Sequence, residues 1–299
     1  MAGIDFKREI KFDYGACDQI SPLIRRVIAE NPGPFTYTGS GTYIIGKGNV
    51  AVIDPGPRRE EHLRALLSAV EGETVTHIFV THTHNDHSPL ARELKQATGA
   101  KTYAYGPYPS QADADGSPME EGHDTEFDPD VRLADGEIVQ GDGWSIEAVH
   151  TPGHTSNHMC FALREEKTLF SGDHVMGWST SVIVPPDGNM KAYFDSLEKL
   201  LTRDDEVFWP THGPSINDPK TFVQSFITHR RAREDQILAC LRDGYTKIKD
   251  MVPVMYVGVD KRLYGPAALS VSAHMIHMAE TGRVNLLSGT ALDGEYELG

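Results

Sequence analysis

His82-x-His84-x-Asp86-His87 places four potential metal ligands within six residues. Imidazole and carboxylate groups suit zinc and related divalent ions, and two ions some ~3.5–4 Å apart can share a bridging carboxylate. Four groups are too few to close two coordination spheres, so other parts of the chain must contribute about three more. The sequence offers them in order: His154 in Thr151-Pro152-Gly153-His154-Thr155, Asp173 in Ser171-Gly172-Asp173-His174, and His212 in Pro210-Thr211-His212-Gly213. The chemistry of such a set is hydrolysis. Metal lowers the pKa of bound water from about 15.7 to ~7 in the best-known zinc case, so a bridging hydroxide is expected to attack an electrophile polarised by the second ion. Asp86, ligand and nearest carboxylate at once, is expected to orient that nucleophile and pass its proton to the leaving group.

These residues need elements to carry them. Tyr43 to Ile45 and Val50 to Ile53 read as two strands around a glycine turn that ends at Asp54. Leu63, Leu66, Leu67 and Val70 recur at helical spacing, and Val75 to Thr81 is a short β-branched run that delivers the chain into His82. A helix from about Pro89 to Gly99 and a strand from Lys101 to Tyr105 follow. Pro107 to Gln140 reads as one long connection. Strands are then expected at Ile146–His150, His158–Leu163, Thr168–Ser171 and Val207–Trp209, with a helix over Lys191–Leu201. Strand and helix alternation implies an α/β layered core, and sites in such folds gather where strand ends meet. Beyond about Asp218 a long helix, a short one, a longer one and a turn at Gly282-Arg283-Val284 outline a helix-turn-helix with a wing.

Other side chains carry weaker expectations. His158 and His174 stand where either could donate a hydrogen bond to an oxyanion or to a ligand carboxylate, and His158 is taken as a second catalytic residue. His77 and His150 alternate with apolar neighbours and read as core or supporting residues. His62, His123, His229, His274 and His277 read as surface or interface residues. Tyr105, Tyr108, Met176 and Trp178 are candidates for the pocket wall.

Composition bounds the partners. The chain has 299 residues, 39% of them hydrophobic and 24% charged, with a formal net charge of −15. That charge opposes polyanions, but most of it sits between Gln111 and Glu147, where twelve acids face one base, Arg132. From Arg231 to Arg283 eight bases meet six acids, a weak footprint for nucleic acid, and packing or homodimerisation is the favoured use of that unit. No apolar run approaches the roughly 18 residues of a membrane span, and Met1 to Ile10 lacks an apolar signal core. Three scattered cysteines, Cys17, Cys160 and Cys240, form no disulfide framework. A reducing cytoplasm is the expected compartment.

With the motifs at His82–His87, His154, Asp173 and His212, and Asp54 after the early strand pair, the stretch from Thr42 to Gly213 resembles the metallo-β-lactamase-fold hydrolase superfamily. Ser171 to Gly188, His229 to Gln236 and Gly265 to Val284 resemble its β-lactamase-like subgroup with a C-terminal winged helix. The resemblance implies a four-layer αββα sandwich over residues 1–229 and a small winged-helix domain over residues 230–299. It assigns His82, His84 and His154 to a first metal, Asp86, His87 and His212 to a second, and Asp173 to a bridge. Two divalent ions are implied, zinc first, with manganese or iron as alternatives.

Aspartate at 173 is similar to glyoxalase II and ribonuclease-type members, not to the zinc β-lactamases with a cysteine ligand. The leading expectation is hydrolysis of an ester, thioester, lactone or amide in a small metabolite. The alternatives are an RNA-cleaving endoribonuclease, although the β-CASP insertion of large RNA nucleases does not fit between His87 and His212; a metal-bearing binding protein without turnover; and mononuclear-iron oxidation of a sulfur substrate.

Overall fold

The structure, a computed structural model, describes residues 4–109 and 122–299. Asp113, Asp115, Glu120 and Glu121 of the acidic stretch lie outside the described residues. The chain order is β1 (Cys17–Gln19), β2 (Ile24–Ile28), β3 (Gly41–Ile45), β4 (Asn49–Ile53), α1 (Glu60–Ala69), β5 (Thr74–Phe79), α2 (Ala91–Thr98) and β6 (Lys101–Ala104). It continues with β7 (Val131–Arg132), β8 (Ile138–Gln140), β9 (Ser145–His150), β10 (Met159–Leu163), β11 (Thr168–Gly172), α3 (Met190–Leu201) and β12 (Val207–Pro210). The C-terminal part holds α4 (Pro219–Arg242), α5 (Ile248–Met255), α6 (Tyr264–Glu280), β13 (Val284–Ser288) and β14 (Glu295–Leu298).

β1 to β7 form one sheet in chain order, antiparallel up to β4 and parallel from β4 to β7. The second sheet runs β12-β11-β10-β9-β8, with β11 and β12 parallel across the α3 crossover. Alternation along the strands sorts their side chains into three layers of core. Tyr43, Ile45, Ala51 and Ile53 of the first sheet meet Ile146, Ala148, Met159 and Phe161 of the second. Ile44, Val52 and Ile78 face the other way, against Leu66 of α1 and Leu94 of α2. Cys160, Ala162 and Phe208 back onto Leu197 of α3 and Phe226 of α4. The stacking order is therefore helix, sheet, sheet, helix.

Helix ends follow local chemistry. Gly99 closes α2 in the left-handed conformation at φ 76°, where a side chain would be strained. Asp218 caps α4 by accepting from the Thr221 N–H, and Pro219 opens its first turn. α4 crosses positions 229 and 230 without a break. Val223, Phe226 and Ile227 belong to the sandwich core, whereas Ile237, Cys240 and Leu241 pack with Met251, Val271, Met275 and Tyr296 in a separate C-terminal core.

Two expectations need correction. The connection after Pro107 is not structureless, since β7 and β8 lie within it and add to the edges of the two sheets. His62 is not a surface residue: it is 3% exposed and shares a 2.8 Å hydrogen bond with Thr42. No helix among the described residues is long and apolar enough to cross a membrane.

Candidate metal centre

β4, β5, β11 and β12 end at one edge of the sandwich. Asp54 follows β4, the His82–His87 loop follows β5, Asp173 follows β11 and His212 follows β12, while His154 lies between β9 and β10. The structure brings all seven predicted ligands together there. Nε2 of His82 and Nε2 of His154 lie 2.9 and 3.1 Å from Nδ1 of His84. On the other side, Nε2 of His87 and Nε2 of His212 lie 3.3 and 2.9 Å from Oδ2 of Asp86. Asp173 stands between the halves: Oδ1 is 3.4 Å from His212 Nε2 and 3.6 Å from His87 Nε2, and Oδ2 is 4.0 Å from His154 Nε2.

The far side of four rings fixes where their free lone pairs point. Nδ1 of His82 donates to Thr81 Oγ1, that of His87 to Asp54, that of His154 to the Val182 carbonyl at 2.6 Å, and that of His212 to the Gly39 carbonyl. Each leaves Nε2 as the atom turned into the site, the arrangement that orients ligating histidines. Asp54 is the hub. Its carboxylate also accepts from the Thr81 backbone N–H, the Thr81 hydroxyl and the Thr211 hydroxyl.

Three of the inward atoms, His87 Nε2, His212 Nε2 and Asp173 Oδ1, are buried without a well-aligned hydrogen bond. Buried polar atoms are seldom left so, and a cation is the partner that imidazole nitrogens and carboxylate oxygens share. Three overlapping triads, His82-His84-His154, His82-His87-Asp173 and Asp86-His87-His212, have donor atoms within 4.8 Å of one another. The donor set fits two ions.

Electrostatics divides the site. Burial, followed by the charges of neighbouring histidines, keeps His82 well below the usual histidine range. Burial also opposes charge on His212, but Asp173 and Asp86 override it and lift that ring to about 10. Burial would raise Asp86 and Asp173, yet the facing imidazoles hold both below the usual carboxylate range.

His158 is placed differently from its expected role. It is fully buried; Nε2 accepts from the Asp173 backbone N–H at 3.2 Å and Nδ1 bonds to Thr151 Oγ1, so no N–H remains for an oxyanion. His174 packs on the Tyr193 ring, and neither of its ring nitrogens has a hydrogen-bond partner among the described residues. Met176 and Trp178 do line the cleft over the ligands, together with Pro34 and Phe35. Tyr105 is not there: it stacks on His150 at 3.9 Å and is 41% exposed. Tyr108 stacks on His123, whose ring lies 4.7 Å from that of His84, so the partly exposed His123 stands beside the site. Sequence reasoning missed Phe35 and Ser40, which donates to Asp86 at 3.3 Å. Both sit in a Gly- and Pro-rich stretch without periodicity.

Comparison with known proteins agrees with this geometry. The Metallo-beta-lactamase superfamily signature matches residues 37–212, and that of the Beta-lactamase associated winged helix domain matches residues 248–289. An Atrochrysone carboxyl ACP thioesterase of Aspergillus fumigatus is 32% identical over 239 residues, covering 77% of this chain and 69% of that one. The Atrochrysone carboxyl ACP thioesterase AacuM of Aspergillus aculeatus is 34% identical, covering 75% and 66%. Among solved structures, a beta-lactamase domain protein from Burkholderia ambifaria superposes with a TM-score of 0.80 at 19% identity, covering 95% and 94%, which bears on the fold. By fold and by sequence, this chain belongs to the metallo-beta-lactamase superfamily.

Proposed function

We propose that this protein is a metal-dependent hydrolase of thioesters. Two divalent ions, zinc by preference and manganese or iron as alternatives, would be held by His82, His84 and His154 and by Asp86, His87 and His212, with Asp173 shared. The observation that carries the reading is the overlap of three donor triads, joined through His82 and His87. The relatives named as thioesterases support the choice of bond. When bound, the ions supply Lewis acidity that polarises a carbonyl and acidifies water.

The chain's own residues do the rest. Asp86, steadied by Ser40, orients the attacking water and takes up its proton. A thiol with a pKa of about 8.5 departs readily as thiolate, so little acid assistance is required on the leaving side. Phe35, Met176 and Trp178 offer an apolar wall to the acyl group. His158 keeps a supporting part, through the backbone of Asp173. The division near residue 229, a reducing compartment and self-association through exposed Val257, Leu263 and Leu287 of the C-terminal unit belong to the same proposal.

The test is thiol release from an acyl N-acetylcysteamine thioester by metal-reconstituted protein beside Asp173→Ala. Release that Asp173→Ala abolishes supports the reading. No release by protein that holds its ions overturns it; cleavage of end-labelled single-stranded RNA by the same preparation would then establish the ribonuclease alternative, and inertness on both the binding-protein alternative.

A further inference from the structure

The segment from His174 to Asn189 has no regular secondary structure, yet it walls the cleft with Met176 and Trp178 and gives its Val182 carbonyl to Nδ1 of His154. A loop with such duties has to be held. Trp178 stacks on Tyr37 at 4.8 Å, and the Ser181 and Tyr193 hydroxyls both donate to the His174 carbonyl, at 2.7 and 2.8 Å. The remaining grip comes from α4. Arg230, 3% exposed, donates through Nη2 to the Ser181 carbonyl at 2.5 Å, with its guanidinium 5.3 Å from the Tyr193 ring.

No carboxylate forms an ion pair with Arg230 among the described residues. Burying a guanidinium is costly, and here it donates a hydrogen bond to the carbonyl next to the one that orients His154. One helical turn further, Glu234 is 2% exposed and accepts from His277 at 2.7 Å, from His274 at 3.3 Å and from Arg283 at 2.5 Å, three side chains of the C-terminal unit. Successive turns of α4 thus hold the site loop, through Arg230, and the winged helix, through Glu234.

We propose that Arg230 is a positioning residue for the metal centre: by fixing the Ser181–Val182 carbonyls it sets the His154 ring, and through α4 it ties that ring to the C-terminal unit. The inference rests on the metal-binding half of the function proposed above and is independent of the substrate.

The experiment compares wild type, Arg230→Met, Arg230→Lys and the exposed neighbour control Arg231→Ala. Divalent-metal affinity is read by competition with a chromophoric chelator, geometry by the Co(II) absorption spectrum, and folding by the melting temperature of the metal-free protein. Loss of a residue that orients a ligand costs roughly 10–100-fold in metal affinity, and that loss is expected for one ion in Arg230→Met, with an altered Co(II) band. Arg230→Lys keeps the charge and a donor without the planar fork, so a smaller loss, roughly three- to tenfold and outside the error of the titration, is expected. Arg231→Ala should match wild type. Unchanged affinity and spectrum in folded Arg230→Met overturn the proposal, even if its melting temperature falls. Should Arg230→Met fail to fold, wild-type affinity and spectrum in Arg230→Lys overturn it. Wild type that binds no divalent metal sinks the metal reading itself, whereas metal binding without thioesterase activity sinks the substrate reading alone.

Discussion

The carboxylate of Asp54 accepts a hydrogen bond from Nδ1 of His87 at 2.8 Å, and both residues are buried. Asp54 follows β4 at φ 48°, which turns its side chain beneath the His82–His87 loop and toward Thr211. Through this contact one strand end aligns ligands from two others. Asp54→Ala is expected to weaken metal binding by roughly 10–100-fold, read by chelator competition. Asp54→Asn, which can still accept one bond, should fall between. Equal affinity in all three proteins would remove Asp54 from the centre's support.

Gly172 is required where it stands. Its φ is 51°, and a Cβ would come within 2.5 Å of His158 Nε2, the atom that accepts from the Asp173 N–H. Gly172→Ala pays for the left-handed backbone, about 1–2 kcal/mol, and must also displace His158. Expected are a lower melting temperature and reduced metal content by elemental analysis. A variant with full metal content would show that His158 does not hold the backbone of Asp173.

Phe35 and Trp178 both line the cleft over the ligands. Phe35→Ala and Trp178→Ala should raise KM for an apolar acyl thioester by roughly 5- to 150-fold while changing kcat less. Loss of an apolar contact area of this size is worth about 1–3 kcal/mol in binding. A fall in kcat at constant KM would place these rings in the chemistry and not in substrate binding.

His62 makes stability depend on pH. Burial pulls it from 6.5 to about 4, with a backbone contact from Pro55 opposing and the Arg59 charge assisting. Between those values the unfolded chain binds the proton and the folded one does not, so stability is lost as pH falls from about 6.5 toward about 4. The full effect is on the order of 3 kcal/mol. His62→Gln should flatten the slope of urea midpoints against pH across that window. Titration of the metal ligands is common to both proteins and drops out of the difference. Parallel slopes would contradict a neutral, buried His62.

Much of the site was legible because ligand chemistry leaves a local mark: four donors in six residues are hard to assemble for another reason, and the strands that precede His154, Asp173 and His212 are apolar enough to recognise. What stayed hidden is nonlocal. β2 reads Ile-Arg-Arg-Val-Ile, and Arg25 and Arg26 mask a strand whose Arg26 is buried over the Trp209 ring. β7 and β8 are two and three residues long, too short for a period to show. Arg230 and His62 are polar residues on helices, which suggests solvent. His62 shares a face with Leu66 four residues on, so its burial was available as a periodicity signal. For Arg230 only the folded loop reveals the partner.

α4 runs for 24 residues, on the order of 36 Å of continuous helix. Because its two halves are side chains of two different cores, the energetic border between the units does not coincide with any gap in the chain. Melting the winged helix would fray the hydrogen-bond ladder that keeps Phe226 and Ile227 seated on the sandwich, and loosening the sandwich would unseat Ile237 and Leu241 in turn. Such a strut couples the two units, and a chain cut at 229 is expected to lose more than the residues removed.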